Sequence, residues 1–350
     1  MFKMIYNIAR TELQMLFYSP VAWLILVVFG VQSGMLFADQ LAQLVSSQEM
    51  GYNVSGSTIT IFASNWGGVF TTMQNYLYFY IPLLTMSLVS KELSSGSIRL
   101  LYSSPITNTQ IIVGKFFSMM IYGLIMIGIL FLITLCSWAV VKDFELSMVL
   151  ILSGLLGIYL VLCAYSAIGL FMSTLTSYQI VAAIGTFAVL MVLSMVGGWW
   201  QDYDFIRDVT YWLSMPGRSG KFIAGLICSE DVLYFVIVVC LFLALTIIRL
   251  NSVRQKIRFV ITLGRNIGVI FLACFLGYLS ALPQLKLYHD ATSTKMNTLT
   301  PNSQDIVAKL DGGITITTYI NALDPGASWY AAPYFLKPDM ERFEQYLRFK

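Results

Sequence analysis

The amino-acid sequence predicts an all-α protein that crosses a membrane several times and ends in the start of a small α/β domain. Three observations support this fold class: 57% of the 350 residues are hydrophobic, only 11% are charged, and the mean hydropathy is +0.75. A soluble domain carries about 25% charged residues, so this chain is too apolar to cover a surface that faces water. The net charge of +3 reflects membrane topology and is no argument for nucleic acid binding.

Seven apolar runs approach the length of about 20 residues that a bilayer core requires. They are residues 21–38, 69–90, 116–141, 149–171, 179–200, 231–250 and 266–284. The second is the weakest of them, because Gln74 and Asn75 lie near its start. We predict a six-helix bundle over residues 21–250, a basic linker at 251–265 and a seventh, anchoring helix at 266–284.

Lys and Arg residues favour cytoplasmic loops and so predict the orientation. A cytoplasmic N-terminus places ten of these cations inside, at positions 3, 10, 91, 99, 115, 249, 254, 256, 258 and 265. It places four in the short outer loops, at positions 142, 207, 218 and 221. The linker 251–265 is then cytoplasmic, and the residues beyond 284 are extracytoplasmic.

Residues 1–20 carry apolar side chains near one helical face, with charged side chains elsewhere. This pattern is typical of a helix that lies in the membrane interface and turns into the bilayer at Pro20. A plain cytoplasmic extension of the first span is the alternative. After that span, residues 39–68 contain no Lys or Arg and read as a flexible surface strip.

Residues 90–115 form a polar loop between the second and third spans. The stretch "KELSSGSIRLLYSSP" predicts a short amphipathic helix that contains Glu92 and ends at Pro105. Gly114 would then allow a close turn, and Lys115 would anchor the loop at the membrane interface. A solvated loop with an incidental pattern is the alternative that the residues alone leave open.

Two further segments are neither spans nor simple loops. Residues 201–230 predict two short helices that dip into the outer leaflet and are broken at Pro216 and Gly217. In residues 285–350, Thr300 and Pro301 predict the start of a helix that runs to about Leu310, and "ITITTYI" predicts a strand at 314–320. The remaining chain is short for a complete core, so it reads as the start of an extracytoplasmic α/β domain.

The sequence offers little for catalysis. It contains one histidine, His289, which excludes a two-histidine metal site, and no phosphate-binding loop that would hydrolyse ATP. The cores of the predicted spans lack Asp, Glu, Lys and Arg, which argues against ion coupling within the chain and against an intramembrane enzyme. If the protein moves a substrate, the energy must come from a partner.

The loop residues resemble the cytoplasmic loop of type-2 ABC transporter permeases, in which a coupling helix docks on the ATP-binding subunit. The positions that match are Glu92, Gly96, Ser97, Leu100, Leu101, Pro105, Gly114 and Lys115. The stretch "ARTELQMLFYSPVAWLI", with Glu12 and Pro20, is similar to the first helices of the gliding-motility-associated branch. Residues 169–187 and 221–235 resemble further parts of the same family.

This resemblance implies a non-catalytic permease subunit of an exporter in the inner (plasma) membrane, surrounded by membrane lipids. It implies a cytoplasmic ATP-binding-cassette ATPase as partner, which would bind ATP and Mg, so that this chain needs no cofactor. It also implies a second permease half, identical or different. The matching loop residues would then make the contact with the ATPase.

The tail resembles a second component of gliding-type systems, an auxiliary extracytoplasmic protein with an Asp-x-Thr and a Thr-Leu-Ser pattern. Here Asp290, Ala291 and Thr292 match the first pattern, and residues 298–300 match the second with Thr300 in the last place. The resemblance implies a fusion of permease and auxiliary domain with an extracytoplasmic partner, in a gliding-motility or surface-secretion system. A membrane scaffold or mechanotransmission component of a cell-surface machine, with no transported substrate, is the alternative.

Overall fold

The computed structural model describes residues 2–51, 56, 58–64, 67–98, 103, 105–140, 147–255, 258–282 and 285–309. Beyond these it describes residues 315, 317, 319–321, 323, 324, 340, 343 and 346. Leu100 and Leu101 lie outside the described residues, as does most of the predicted strand at 314–320. Nothing in the structure tests the predicted α/β domain beyond its first helix.

The first part of the chain is helical and begins with α1 (Phe2–Tyr18), α2 (Pro20–Glu49) and α3 (Val69–Thr85). It continues with α4 (Ser90–Ser95), α5 (Asn108–Val140), α6 (Met148–Leu175) and α7 (Gln179–Met195). The second part contains α8 (Asp204–Leu213), α9 (Met215–Ile223), β1 (Leu226–Cys228), α10 (Ser229–Gln255) and α11 (Phe259–Ser280). It ends with β2 (Tyr288–Asp290) and α12 (Pro301–Ala308).

Six helices of the described residues are long and apolar enough to cross a membrane: α2, α5, α6, α7, α10 and α11. The second predicted span was wrong in length, because α3 has only 17 residues and ends at Thr85 rather than near residue 90. The chain turns over residues 86–89 before α4 begins. The buried face of α3 includes Gln74 and Tyr80, so α3 packs inside the bundle instead of facing lipid all round.

Helix α6 lies at the centre of the bundle, and α3, α5, α7, α9 and α10 pack against it. Glycines of α6 let two neighbours, α3 and α9, approach closely. A Cβ atom at Gly169 would stand 2.1 Å from the Thr85 hydroxyl of α3, and one at Gly157 would stand 2.6 Å from Cβ of Phe222 in α9. Between membrane helices such small residues take the place of the hydrophobic effect, because lipid is as apolar as the side chains.

The first helix is separate from the first span. The backbone at Ser19 is extended and Pro20 starts α2, which agrees with a distinct N-terminal helix and not with an uninterrupted extension. Helix α2 then runs to Glu49, so residues 39–49 are helical and the predicted flexible strip was wrong for them. A single π-helical turn, Ile59–Ala63, also buries its apolar side chains against α2 and α3.

Residues 201–230 form two short helices, α8 and α9, as the sequence predicted. The predicted break at Pro216 and Gly217 was wrong in position: the helices separate at Ser214, and Pro216 is in the first turn of α9, where its missing N–H leaves no hydrogen bond unmade. Strand β1 follows and pairs antiparallel with β2, with Leu226 opposite Asp290 and Cys228 opposite Tyr288. We call this end of the bundle the hairpin end, and the end that carries α4 the loop end.

The helix predicted after the seventh span is present as α12. The backbone N–H of Ser303 donates a hydrogen bond to the Thr300 hydroxyl, and Pro301 occupies the first turn. The hydroxyl thereby satisfies one of the free N–H groups at the helix start. The sequence signal for this helix start is confirmed.

Helix α1 packs along the start of α5, and Gly114 lies at their contact. A Cβ atom at Gly114 would stand 2.7 Å from Cγ2 and 2.8 Å from Cβ of Ile8. The predicted close turn at Gly114 was wrong, since the residue lies within α5. Its lack of a side chain serves helix packing.

We predict that Gly114→Ala lowers the stability of the protein, because the added methyl group forces α1 away from α5. Overpacking of this kind costs about 1 to 3 kcal/mol and should lower the melting temperature in mild detergent. Gly128→Ala in the same helix is the matched control, since a Cβ atom there meets no described atom within 4 Å. Equal melting temperatures for both variants would contradict the close packing of α1 on α5.

Candidate functional site

The loop end of the bundle contains a buried cluster of three charges from three segments. The Lys115 ammonium donates to a carboxylate oxygen of Glu12 at 2.5 Å and to one of Glu92 at 2.7 Å. The side chain of Lys115 is 2% exposed, that of Glu12 11% and that of Glu92 19%. The cluster therefore ties α4 to the amphipathic helix α1 and to the first turns of α5.

Lys115 was predicted to anchor the loop at the membrane interface, and that interpretation was wrong. Its ammonium lies inside the protein, because two carboxylates replace the water that it would otherwise bind. A buried cation without such partners costs several kcal/mol, so the position of Lys115 depends on Glu12 and Glu92. Glu12 and Glu92 share one cation and together leave the cluster with one net negative charge.

Helix α4 is fixed at its first residue by a serine from α6. The Ser173 hydroxyl accepts hydrogen bonds from the N–H groups of Val89 and Ser90, both at 3.0 Å, and donates to the carbonyl of Met86 at 3.1 Å. Ser173 thus caps a helix to which it does not belong. The turn after α3 is thereby held against the end of α6.

Helix α4 ends at Gly96, which has φ +72° and is left-handed. Glycine adopts this conformation without strain and commonly ends helices. The predicted continuous helix from Glu92 to Pro105 was therefore wrong. Helix α4 ends before Gly96, because the left-handed backbone of Gly96 does not continue a right-handed helix. Ser97 follows the break, and its hydroxyl lies 2.9 Å from that of Ser95.

The far end of the loop is held by α10. The side-chain amide of Asn108 donates to that of Asn251 at 2.7 Å, and the Arg254 guanidinium donates to the carbonyl of Ile106 at 3.3 Å. Asn108 is buried and begins α5, whereas Pro105, three residues earlier, is exposed. Residues 89–115 are thus attached at separate points to α1, α6 and α10.

The structure brings together some of the predicted site residues and separates others. Glu12, Glu92 and Lys115 meet in one cluster, which the sequence did not indicate because they are far apart along the chain. Gly96, Ser97 and Pro105 lie away from the cluster on the loop, and their predicted contact with an ATPase stays a prediction. Ser173 and Asn251 were missed, since a lone Ser or Asn near a span end is common.

A cleft of about 320 Å³ opens beside the charge cluster. It lies between the joint of α1 and α2 on one side and the turn from α3 to α4 on the other, and Glu12, Ser19 and Lys91 line it. The cleft also adjoins α4, through Lys91. The buried cluster therefore borders this cleft directly, through Glu12.

We predict that Lys115→Met destabilises the protein by about 3 kcal/mol, because it leaves two carboxylates facing each other without their cation. Thermal unfolding in detergent measures the change. Lys91→Met, at an exposed lysine of α4, is the matched control and should change the melting temperature little. Adding Glu92→Gln to the Lys115→Met variant should restore part of the loss, and absence of any restoration would contradict the shared cluster.

Burial raises the pKa of Glu92 above its ordinary value of 4.5, and the Lys115 ammonium only partly offsets this. Glu92 therefore contributes stability that is fully present below pH 4.5 and lost as the pH rises through the raised pKa. We predict that Glu92→Gln gains melting temperature relative to the native chain over that same rise in pH. Glu49→Gln, at an exposed carboxylate, is the control, and an equal gain there would contradict the assignment.

A family model described as ABC-2 family transporter protein matches residues 6–201, which is more than half of the chain. No curated protein matches the sequence. The matched residues include most of α1 and all of α2 to α7, and with them the whole loop 90–115 and the charge cluster. The chain belongs to the ABC-2 family of transporter proteins, as a multi-pass membrane permease.

Proposed function

We propose that the chain is the membrane-spanning subunit of an export-type ABC transporter and that a separate cytoplasmic ATPase drives it through residues 90–115. Members of this family are membrane transport components that work with an ATP-binding-cassette ATPase. In this proposal the ATPase binds ATP and Mg, and the permease performs no chemistry. The N-terminus and the loop end are cytoplasmic, in the inner (plasma) membrane.

The Lys115 cluster is the observation that supports this proposal most. A force on α4 passes to Glu92, from Glu92 to Lys115, and from there to α5 and to Glu12 of α1. Ion pairs exposed to water contribute little free energy of stabilisation, whereas breaking this buried cluster would leave charges without partners and requires much more free energy. A motor that displaces α4 therefore moves two further helices with it.

The residues available for docking are those of the loop that lie at the surface. Lys91, Ser94 and Ser95 of α4 are exposed, as is Pro105. Gly96, Ser97, Leu100 and Leu101 belong to the same proposed surface by sequence. Glu92 is a positioning residue in this proposal, because its carboxylate is occupied by Lys115.

A second permease half is expected to cover part of the apolar surface. Helix α7 exposes Ile180, Val181 and Ile184, and α2 exposes Trp23, Leu24 and Val27 on its own apolar face. Lipid covers what the second half leaves free. Identical or different halves fit this surface equally.

The alternative function is that of a scaffold or mechanotransmission component of a cell-surface machine. One observation favours it: the chain after α11 is joined to the hairpin end through β1 and β2. A gliding-motility or surface-secretion role, and an auxiliary extracytoplasmic domain after residue 285 with a partner of its own, rest on the sequence resemblance. The same ATPase contact would serve either function.

We predict that the ATPase copurifies with the native chain from membranes in mild detergent and is lost with Ser94→Trp. The bulky side chain would block the exposed face of α4, while the hydroxyl that it removes bonds only within its own helix, to the carbonyl of Lys91. Mass spectrometry of the purified complex identifies the ATPase and measures its ratio to the permease.

Ser177→Trp is the matched control, because Ser177 is also exposed and lies in the turn between α6 and α7 at the same end of the bundle. It should leave the ratio unchanged. Recovery of no ATPase with the native chain, in detergent that preserves other membrane complexes, would refute the transporter proposal. Loss of the ATPase with both variants would show that docking is not specific to the loop 90–115.

A further inference from the structure

The chain after α11 returns to the bundle and binds the hairpin end through its backbone. Strand β2 pairs with β1, and two flanking bonds extend the pairing: Ala291 N–H donates to the carbonyl of Gly225 at 2.7 Å, and Ser229 N–H donates to that of Leu287 at 2.8 Å. We call residues 285–298 the strap. It spans the junction between α9 and α10.

Side chains hold the strap in a fixed shape. Asp290 accepts hydrogen bonds from the backbone N–H and the hydroxyl of Thr292, from Asn297 N–H and from the Thr298 hydroxyl, all within 3.0 Å. Burial alone would raise the pKa of Asp290, but these donors lower it below its ordinary value. The carboxylate therefore closes the strap into a compact loop.

The strap fits closely against the end of α9. Gly225 has φ +89°, and a Cβ atom there would stand 2.7 Å from Cδ1 of Leu150 and 2.8 Å from Cγ2 of Thr292. The amide of Asn297 also donates to the carbonyl of Ala224 at 2.9 Å. The contact thus continues beyond the paired strands.

A charged chain links the strap to the start of α10. The Lys286 ammonium lies 2.8 Å from Glu230, whose other oxygen lies 3.4 Å from the Arg218 guanidinium. Arg218 of α9 binds Asp231 at 2.7 Å and lies over the Tyr234 ring, 4.4 Å from its centroid. Arg218 is 6% and Asp231 2% exposed, so these charges fix α9 to α10 in a single arrangement.

Helix α10 reaches from this network to the loop end. Its 27 residues begin with Ser229, Glu230 and Asp231 beside the strap and include Asn251 and Arg254, which hold Asn108 and Ile106. An unbroken helix transmits displacement along its axis, because its backbone hydrogen bonds resist extension. The same helix is therefore attached to the strap at one end and to the loop 90–115 at the other.

We propose that the strap couples the chain beyond residue 298 to the loop 90–115, with α10 as the connecting element. A load or partner that pulls the strap from β1 then changes the mobility of residues 105–115. The attachment of strap to hairpin does not depend on the proposed ATPase. Its regulatory meaning rests on the proposed function, because the loop is where the ATPase would act.

A disulfide tests the attachment, because native Cys228 lies opposite Tyr288. The flanking bonds at residues 225 and 291 and at 229 and 287 place this pair at a position without mutual backbone hydrogen bonds, where Cα atoms lie about 4.5 Å apart. That separation suits a disulfide. Tyr288→Cys should link to Cys228 in most molecules when diamide is added, as shown by mass spectrometry of the joined peptides.

His289→Cys is the matched control, since its partner is Ile227 and adjacent strand residues face opposite sides. It should form no link to Cys228. Adding Gly225→Ala to Tyr288→Cys should reduce linking severalfold, whereas Gly220→Ala, where a Cβ atom meets no described atom within 4 Å, should not. Failure of Tyr288→Cys to link, or equal linking by His289→Cys, would overturn the strap.

Hydrogen exchange of the linked permease, measured without any ATPase, tests the connection through α10. Amides of residues 106–115 should exchange about threefold more slowly in the linked form than after reduction, because local opening there becomes costlier. Asn251→Leu should abolish this difference while the disulfide still forms. Linking without any change in the loop would overturn the coupling and leave the docking of an ATPase at α4 as a separate question.

Discussion

The buried ammonium of Lys115 determines how the loop end of the bundle is arranged. A cation that has lost its water needs carboxylates within contact distance, and only Glu12 and Glu92 supply them among the described residues. Because these groups belong to three different segments, satisfying one charge fixes the positions of α1, α4 and α5 at once. The short α4, with six residues, would be marginal by itself and depends on this cluster and on Ser173 for its place.

The rest of the bundle is stabilised differently, because moving apolar side chains from lipid to the protein interior gives no hydrophobic free energy. Close approach of backbones replaces burial from water as the source of stability, and glycines make it possible where Gly169 meets Thr85 and Gly157 meets Phe222. A charge at the centre of the bilayer, by contrast, is costly. This cost explains why the described ion pairs lie at the loop end and at the hairpin end.

Some of these features can be predicted from the sequence and others cannot, and the difference has a physical cause. Long apolar runs give six of the spans correctly, because length and composition decide whether a helix can cross a bilayer. The start of α12 at Thr300 is equally local and was predicted. The end of α3 and the burial of Lys115 were not, because both depend on partners far along the chain: Ser173 for the turn after α3, and Glu12 for Lys115. The predicted turn at Gly114 failed for the same reason, since Ile8 of α1 determines its role.

Helix α10 shows how two distant polar regions are connected without a charge in the membrane. Its 27 residues measure about 40 Å, more than the hydrocarbon thickness of about 30 Å, so both ends reach polar surroundings. Glu230 and Asp231 at one end bind Lys286 and Arg218, and Asn251 at the other binds Asn108. The apolar middle packs against α6, and the polar ends exchange partners only at a large cost. A displacement at either end is therefore easier to pass along α10 than to absorb within it.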